Sequence, residues 1–231
     1  MNGRVACVVP AYQAERTLGD VLRGVRQSVP WATIVVTDDG SSDGTVDVAE
    51  RWADHVVRFA SNRGKGAALR AGCEAALAIG ADTVVTLDAD GQHDPASAPA
   101  LLDALADADI VIGARARRGS RMPMHRRLTN ALSSAAVSHC AGCAVPDAQS
   151  GFRAVRADVL RRVRPPGDRY EYETEFLIRA AREGFRIAAV PVATIYGTAP
   201  SHFRSFKDAM LVIRSIWRNR PGGPPLNPTC R

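Results

Sequence analysis

Short apolar runs alternate with segments that are apolar only every third or fourth residue over the first 113 positions. Val5-Ala6-Cys7-Val8-Val9 is continuously apolar and ends at Pro10, which predicts a buried strand. Residues 15–28 place Leu18, Val21, Leu22 and Val25 on one helical stripe. Thr33 to Thr37 is a second strand. Ser42 or Asp43 then caps a helix carrying Val46 and Ala49. His55 to Phe59 reads as a short strand and residues 64–79 as a long Ala-rich helix. Thr83 to Leu87 is a fourth strand, a helix opens near Pro95, and Asp109 to Gly113 is a fifth strand. Strands alternating with helices predict an α/β domain whose mostly parallel central sheet is covered by helices on both faces.

Beyond residue 114 the pattern changes. A small-residue helix is predicted over about 128–144, a strand over Ser150 to Val155, a helix over 173–183, and one or two strands over 186–196 around Pro191. Residues 203–218 make an amphipathic helix, with Phe203, Phe206, Met210, Ile213 and Trp217 suited to core packing or a dimer face. The Pro/Gly-rich tail from Pro221 is expected to be disordered.

At 231 residues the chain suits one compact domain. No apolar run approaches the roughly 18–20 residues that cross a bilayer, and the start has no signal-peptide layout. The expectation is a cytoplasmic protein able to dock peripherally on the cytoplasmic membrane face. Charge divides unevenly. Residues 1–114 carry 9 Lys/Arg against 16 Asp/Glu, and residues 115–231 carry 21 against 8. An acidic half suits a cation and a basic half suits anions, although unequal solvated surfaces would give the same counts. Five cysteines include a Cys140/Cys143 pair with no second pair to complete a zinc site, and small buried thiols are the expected reading.

Ligands of parallel sheets sit beyond the carboxyl ends of the strands. Three polar clusters directly follow strands there: Pro10-Ala11-Tyr12, Asp38-Asp39-Gly40-Ser41, and Asp88-Ala89-Asp90-Gly91-Gln92-His93. Alternate carboxylates at Asp88 and Asp90 can reach one Mg²⁺ or Mn²⁺, with Gln92 as a third oxygen; a turn and helix cap would use the same residues. A carboxylate at Asp38 or Asp39 could accept hydrogen bonds from a base or ribose. Asn62-Arg63-Gly64-Lys65-Gly66 opens a helix whose free N–H groups and dipole favour a diphosphate, with Lys65 beside it.

These four segments, in this order, resemble family 2 glycosyltransferases, and most of all the dolichol- or polyprenol-phosphate sugar transferases; the likeness runs over about residues 4–215. It implies a single GT-A-type Rossmann-like domain at 1–219, with a nucleotide-sugar half (1–114), an acceptor half (115–219) and a disordered tail at 220–231. It implies that Pro10, Tyr12, Glu15, Asp38 and Asp39 hold the nucleobase and ribose. Asp88, Asp90 and Gln92 match the metal ligands. Arg115 is similar to an arginine that meets the acceptor phosphate, followed by Arg126 or Arg127 with Asn130. Asp147-Ala148-Gln149-Ser150-Gly151-Phe152-Arg153 matches the run before the acceptor side, which brings in Gln149. Glu173-Thr174-Glu175 occupies the place of an acidic catalytic motif, and Ser201-His202-Phe203-Arg204 resembles a late basic motif on the donor phosphates. One departure is Gln13 where the family usually has Asn. Another is the lack of the C-terminal transmembrane helices that longer members carry.

The implied reaction moves a hexose from a nucleotide-diphosphate sugar to a polyprenyl phosphate, with inversion. A phosphate oxygen is already ionised at neutral pH, so the site must hold two anions together rather than supply a base. Metal would screen the donor and arginines the acceptor. With a hydroxyl acceptor instead, Glu173 or Glu175 would serve as base. A non-catalytic anion- or membrane-binding module is a third reading. It leaves Asp88 and Asp90 without a use, and residues 115–127, rich in arginine, have no aromatic for stacking nucleic-acid bases. The motifs leave the sugar and nucleotide open.

Overall fold

A computed structural model describes residues 3–115 and 124–193. The chain runs β1 (Val5–Ala11), α1 (Leu18–Ser28), β2 (Thr33–Asp38), α2 (Thr45–Trp52), β3 (His55–Arg58), α3 (Lys65–Ala78) and β4 (Thr83–Thr86). After a 3₁₀ turn at Pro95–Ser97 come α4 (Ala98–Ala104), β5 (Ile110–Arg115), α5 (Met124–Ala141), β6 (Arg153–Arg156), α6 (Ala157–Arg162), α7 (Glu171–Arg182) and β7 (Ile187–Val192). The seven strands form one sheet in the order β3-β2-β1-β4-β6-β5-β7. Every pairing is parallel except the two made by β6, which is antiparallel to β4 and to β5.

The strict alternation along β1 explains the two-sided core. Cys7 and Val9 face the layer built from α1 and α4, where Leu18, Leu22, Leu101 and Leu105 are fully buried. Ala6 and Val8 face the layer of α3, α5, α6 and α7, with Cys73, Val137, Val159 and Leu177. Burial of each Leu or Ile in these layers contributes about 1.5–3 kcal/mol. The helical stripe Leu18, Val21, Leu22 and Val25 is buried as its spacing predicts.

Boundaries differ from the sequence pattern in instructive places. Helix α1 starts at Leu18 because residues 12–17 are drawn into loop contacts. Strand β6 starts only at Arg153, since Ser150 bends back to donate its hydroxyl to the Gly113 carbonyl. Helix α5 occupies 124–141 rather than 128–144, and Gly142 takes a left-handed φ of 72° that ends it. Six-residue α6 is too short to show a period. Cys7, Cys73 and Cys140 are buried, whereas Cys143 lies past the end of α5 and is exposed, which corrects the reading of both pair members as buried thiols. The helix expected at 203–218 and the tail at 220–231 lie outside the described residues.

Gly72, in the middle of α3, sets how closely that helix approaches the sheet. A β-carbon there would lie 2.5 Å from Val8 Cγ1 and 2.7 Å from Thr37 Oγ1, both fully buried positions. Replacing an interior helical glycine by alanine normally stabilises by about 1 kcal/mol. Here overpacking reverses the sign: Gly72→Ala is expected to destabilise by about 1–3 kcal/mol, read from the shift of a urea unfolding midpoint.

Candidate active site

The carboxyl ends of β1, β2, β4 and β5 all reach one edge of the sheet, because β6 runs antiparallel between β4 and β5 and so leaves those two parallel to each other. At the β1–β2 end, two loops are knitted together. Gln13 donates its N–H to Ser41 Oγ (3.0 Å) and its side-chain amide to Ser42 Oγ (2.9 Å). The Ala14 N–H meets Thr45 Oγ1 at 2.7 Å, and Glu15 accepts the Gly44 N–H at 2.8 Å. Gln13 sits at φ 51°, a left-handed conformation that asparagine occupies more readily. The start of α2 carries Gly44 at its cap, with Asp43 accepting from the Thr45 N–H; Ser42 instead serves Gln13.

Asp38 and Asp39 are both buried, and their carboxylates serve different loops. Asp38 accepts the Ser41 N–H at 3.2 Å. Asp39 accepts from Arg63 N–H (2.7 Å), Gly64 N–H (2.9 Å) and the Asn62 amide (2.9 Å). Burial raises the Asp39 carboxyl above its usual range, with those N–H groups pulling against it. The Ala67 N–H is taken by the Asp168 carbonyl at 2.9 Å. The opening of α3 is therefore not the free anion cradle its sequence suggests: Asp39 and the 165–170 loop already occupy the Gly64 and Ala67 donors. Gly64 (φ 107°) permits this approach, since a β-carbon would stand 2.5 Å from the Asp168 carbonyl. Of the residues expected to hold base and ribose, Pro10 is buried in β1, and Glu15 and Asp39 hold loops. Tyr12 is exposed at the edge, as is Glu15.

Beside this frame lies a cluster of buried charge. The Lys65 ammonium, one-fifth exposed, sits 2.7 Å from Asp88 Oδ1 and 3.0 Å from Glu173 Oε2. Burial alone would make Lys65 a weaker base, but Asp88 and Glu173 outweigh it and hold it firmly protonated. Burial likewise opposes ionisation of Asp88, and Lys65, His93 and Arg153 together hold its carboxyl below the usual range. Among the described residues Asp90 has no ion-pair partner of this kind. Burial, then repulsion from Asp88, raises its carboxyl, while it accepts the Gln92 N–H at 2.9 Å.

Two further residues belong to this cluster. Arg153 is almost wholly buried, donates to the carbonyls of Ala148, Ser150 and Glu173, and lies 3.8 Å from Glu173 Oε1. An arginine set in the apolar run Phe152-Ala154-Val155 was the signal that it has a buried partner. His93 is 5% exposed and packs its ring 5.6 Å from that of Phe152. Its Nδ1 meets no hydrogen-bond partner among the described residues, and burial depresses its basicity.

Glu175, two residues along α7, bonds Arg179 (2.7 Å) instead, because residues two apart on a helix point to different faces. The structure thus brings Glu173 to Asp88 and directs Glu175 to Arg179.

At the end of β5, Arg115 grips Asp147. Its Nε and Nη2 donate to the two carboxylate oxygens at 2.8 and 2.6 Å, and its backbone N–H adds 2.9 Å. Burial works against the Asp147 charge, but Arg115 overcomes it and keeps the carboxyl below the usual range. Gln149 follows in the same turn, half-buried, and Asn130 is half-buried on α5. Arg126 and Arg127 fall in the first turn of α5, and their side chains lie outside the described residues, as does Arg204 entirely.

The donor set fits a divalent cation of the Mg²⁺ or Mn²⁺ kind. Among the described residues no three His, Cys, Asp or Glu side chains form a cage. Such ions commonly take one or two carboxylates and fill the remaining positions with phosphate and water oxygens. Asp88 and Asp90 repel each other at the strand end, and a cation between them would relieve that repulsion.

Residues 6–164 match the family model for glycosyl transferase family 2, and the chain belongs to that family. It is 34% identical to an undecaprenyl-phosphate mannosyltransferase from Micrococcus luteus over 207 residues, covering 83% of this chain and 84% of the relative. It is 31% identical to a polyprenol monophosphomannose synthase from Mycolicibacterium smegmatis, covering 82% and 76%. In fold it is similar to glucosyl-3-phosphoglycerate synthase from Mycobacterium tuberculosis, solved with Mn²⁺, UDP and glucosyl-3-phosphoglycerate. That likeness has a TM-score of 0.72 at 23% identity and covers 96% of this chain and 81% of the other. The chain is a nucleotide-sugar-dependent glycosyltransferase with the GT-A architecture.

The Arg115–Asp147 pair carries a pH signature. Because the folded-state pKa of Asp147 is lowered, its stabilisation is full above the ordinary carboxylate value of about 3.9 and is lost as pH falls through the folded value. Asp147→Asn is expected to cost about 2–3 kcal/mol at neutral pH. The difference from wild type should shrink below about pH 4, as measured by urea unfolding across the pH series.

Proposed function

We propose that this chain transfers a hexose from a nucleotide-diphosphate sugar to a polyprenyl phosphate, with inversion at the anomeric carbon and with Mg²⁺ or Mn²⁺. The observation that carries this reading is the division of one sheet edge into two charge sites. The Asp88/Asp90 carboxylates stand at the end of β4, and the Arg115–Asp147 pair stands two strands away at the end of β5. An enzyme that joins two phosphate-bearing substrates must keep both from repelling each other. The named relatives from Micrococcus luteus and Mycolicibacterium smegmatis act with polyprenyl-type phosphates, which supports the same acceptor here.

In this reading residues 1–114 form the donor half and 115–219 the acceptor half. Asp88 and Asp90, with Gln92, would hold the metal, which when bound supplies charge neutralisation on the departing diphosphate. Tyr12 offers an exposed ring at the base end. Arg115, with Asn130, Gln149 and an arginine of the first turn of α5, meets the acceptor phosphate, whose geometry suits a guanidinium fork. Attack then needs no base. Glu173 is engaged otherwise, its carboxylate 3.0 Å from the Lys65 ammonium and 3.8 Å from Arg153. No helix among the described residues is long and apolar enough to cross a membrane, and the lipid acceptor would hold the enzyme at the membrane surface.

The test is transfer from radiolabelled UDP-glucose, GDP-mannose and UDP-N-acetylglucosamine to undecaprenyl phosphate, with Mg²⁺, Mn²⁺ or EDTA. The expected product is an acid-labile lipid-phosphate sugar whose formation EDTA abolishes. Asp90→Ala should lower kcat/KM by about 10²–10³-fold. Arg115→Ala should raise KM for the lipid phosphate while donor binding holds. An acid-stable product formed on a hydroxyl acceptor, or full activity in EDTA, overturns the reading.

A further inference from the structure

Lys65 stands where a metal-binding carboxylate would otherwise be uncompensated. Its ammonium lies 2.7 Å from Asp88 and 3.0 Å from Glu173, and all three side chains are largely withdrawn from water. Among the described residues Asp90, one residue beyond Ala89, has no such ammonium within ion-pair distance. A cation bound by Asp88 and Asp90 would sit against the Lys65 charge at close range, in a setting where water screens poorly. Both cations cannot hold Asp88 at full strength.

We propose that Lys65 is a resident counter-ion that metal displaces from Asp88, and that Glu173 is the seat that retains it. The proposal rests on the metal reading of Asp88 and Asp90. It assigns Glu173 a positioning role toward Lys65. Before metal binds, Lys65 holds the Asp88 carboxylate in place at 2.7 Å. When Asp88 turns to the metal, Lys65 keeps Glu173, which Arg153 fixes from the other side. The ammonium protons released from Asp88 would then be available to diphosphate oxygens. Gly151 allows the exchange to happen in a confined space: a β-carbon there would lie 2.5 Å from Asp88 Oδ2, so the backbone itself lines the carboxylate.

The arrangement predicts opposite effects for two neighbouring substitutions. Lys65→Met removes the competing charge, so the protein should bind Mn²⁺ at least about tenfold more tightly even though transfer falls. Glu173→Gln removes both the attraction for the incoming cation and the seat for Lys65, so Mn²⁺ binding should weaken by about tenfold. The measurement is titration of Mn²⁺ followed by the electron paramagnetic resonance signal of the free ion, with no donor present. Thermal melts establish that each variant is folded. Asp88→Asn is the reference and should lose Mn²⁺ binding. If Asp88→Asn binds Mn²⁺ like wild type, the metal reading itself falls. If Asp88→Asn loses binding while Lys65→Met stays within about threefold of wild type, the displacement idea falls alone. Where Lys65→Met does not fold, Glu173→Gln decides the matter, and unchanged Mn²⁺ affinity in it overturns the proposal.

Discussion

A carboxylate withdrawn from water must be given a cation or a proton, and the site is organised around that constraint. Asp88 lies two residues beyond a strand buried on both faces, so it inherits the low-dielectric surroundings of the sheet. Lys65 answers it from α3, and Glu173 from α7 takes the other side of the same ammonium. One ion triad therefore links β4 and α3 of the first half to α7 of the second. The 165–170 loop reinforces the link: Arg70 bonds Asp168, and the Asp168 carbonyl caps α3. The two halves are not separable modules joined by a linker. They share a buried charge, and removing any one member strands the others.

Close backbone approach is the second requirement. Gly64 and Gly66 let the 165–170 loop lie on the start of α3, where β-carbons would meet backbone carbonyls at 2.5 and 2.6 Å. Gly151 does the same beneath Asp88. The glycine-rich look of Asn62-Arg63-Gly64-Lys65-Gly66 suggested an anion cradle. Its main role in the fold is to bring Lys65 inward and to receive Asp39 and Asp168.

The parts of the fold that follow a period were legible from the residues. Alternation along β1 and the Leu18–Val25 stripe specify which faces are buried, and strand ends specify where polar loops gather. Direction in the sheet was not legible, because Arg153–Arg156 reads the same whether it runs parallel or antiparallel. Partnerships across long separations were also hidden. Nothing local to Asp39 shows that its carboxylate is spent on residues 62–64, and nothing near Glu175 shows that it turns to Arg179 while Glu173 turns inward. Arg153 was the one exception with a local sign, a charge placed within an apolar strand. The strand ends gathered the polar clusters on one edge, but which oxygen each residue has left to offer is a property of the folded contacts.

The resting site has a common logic on its two sides. Asp88 is held by Lys65, and Arg115 is held by Asp147, so each half keeps its principal charge neutralised within the chain. This lowers the cost of carrying buried charge before substrates arrive, and it fixes side chains that would otherwise lose rotamer freedom on binding. The two pairs differ in what they offer next. A carboxylate has up to four acceptor positions, and the Asp88 pair uses an oxygen close to the protein backbone, so a change of partner is a local event. Arg115 donates from Nε and Nη2 to Asp147, which fixes the guanidinium plane. Under the proposed function a cation approaching Asp88 would first contend with Lys65, whereas Asp147 has already set the plane of Arg115. Under the proposed function, charge would be rearranged on the donor side and used as it stands on the acceptor side.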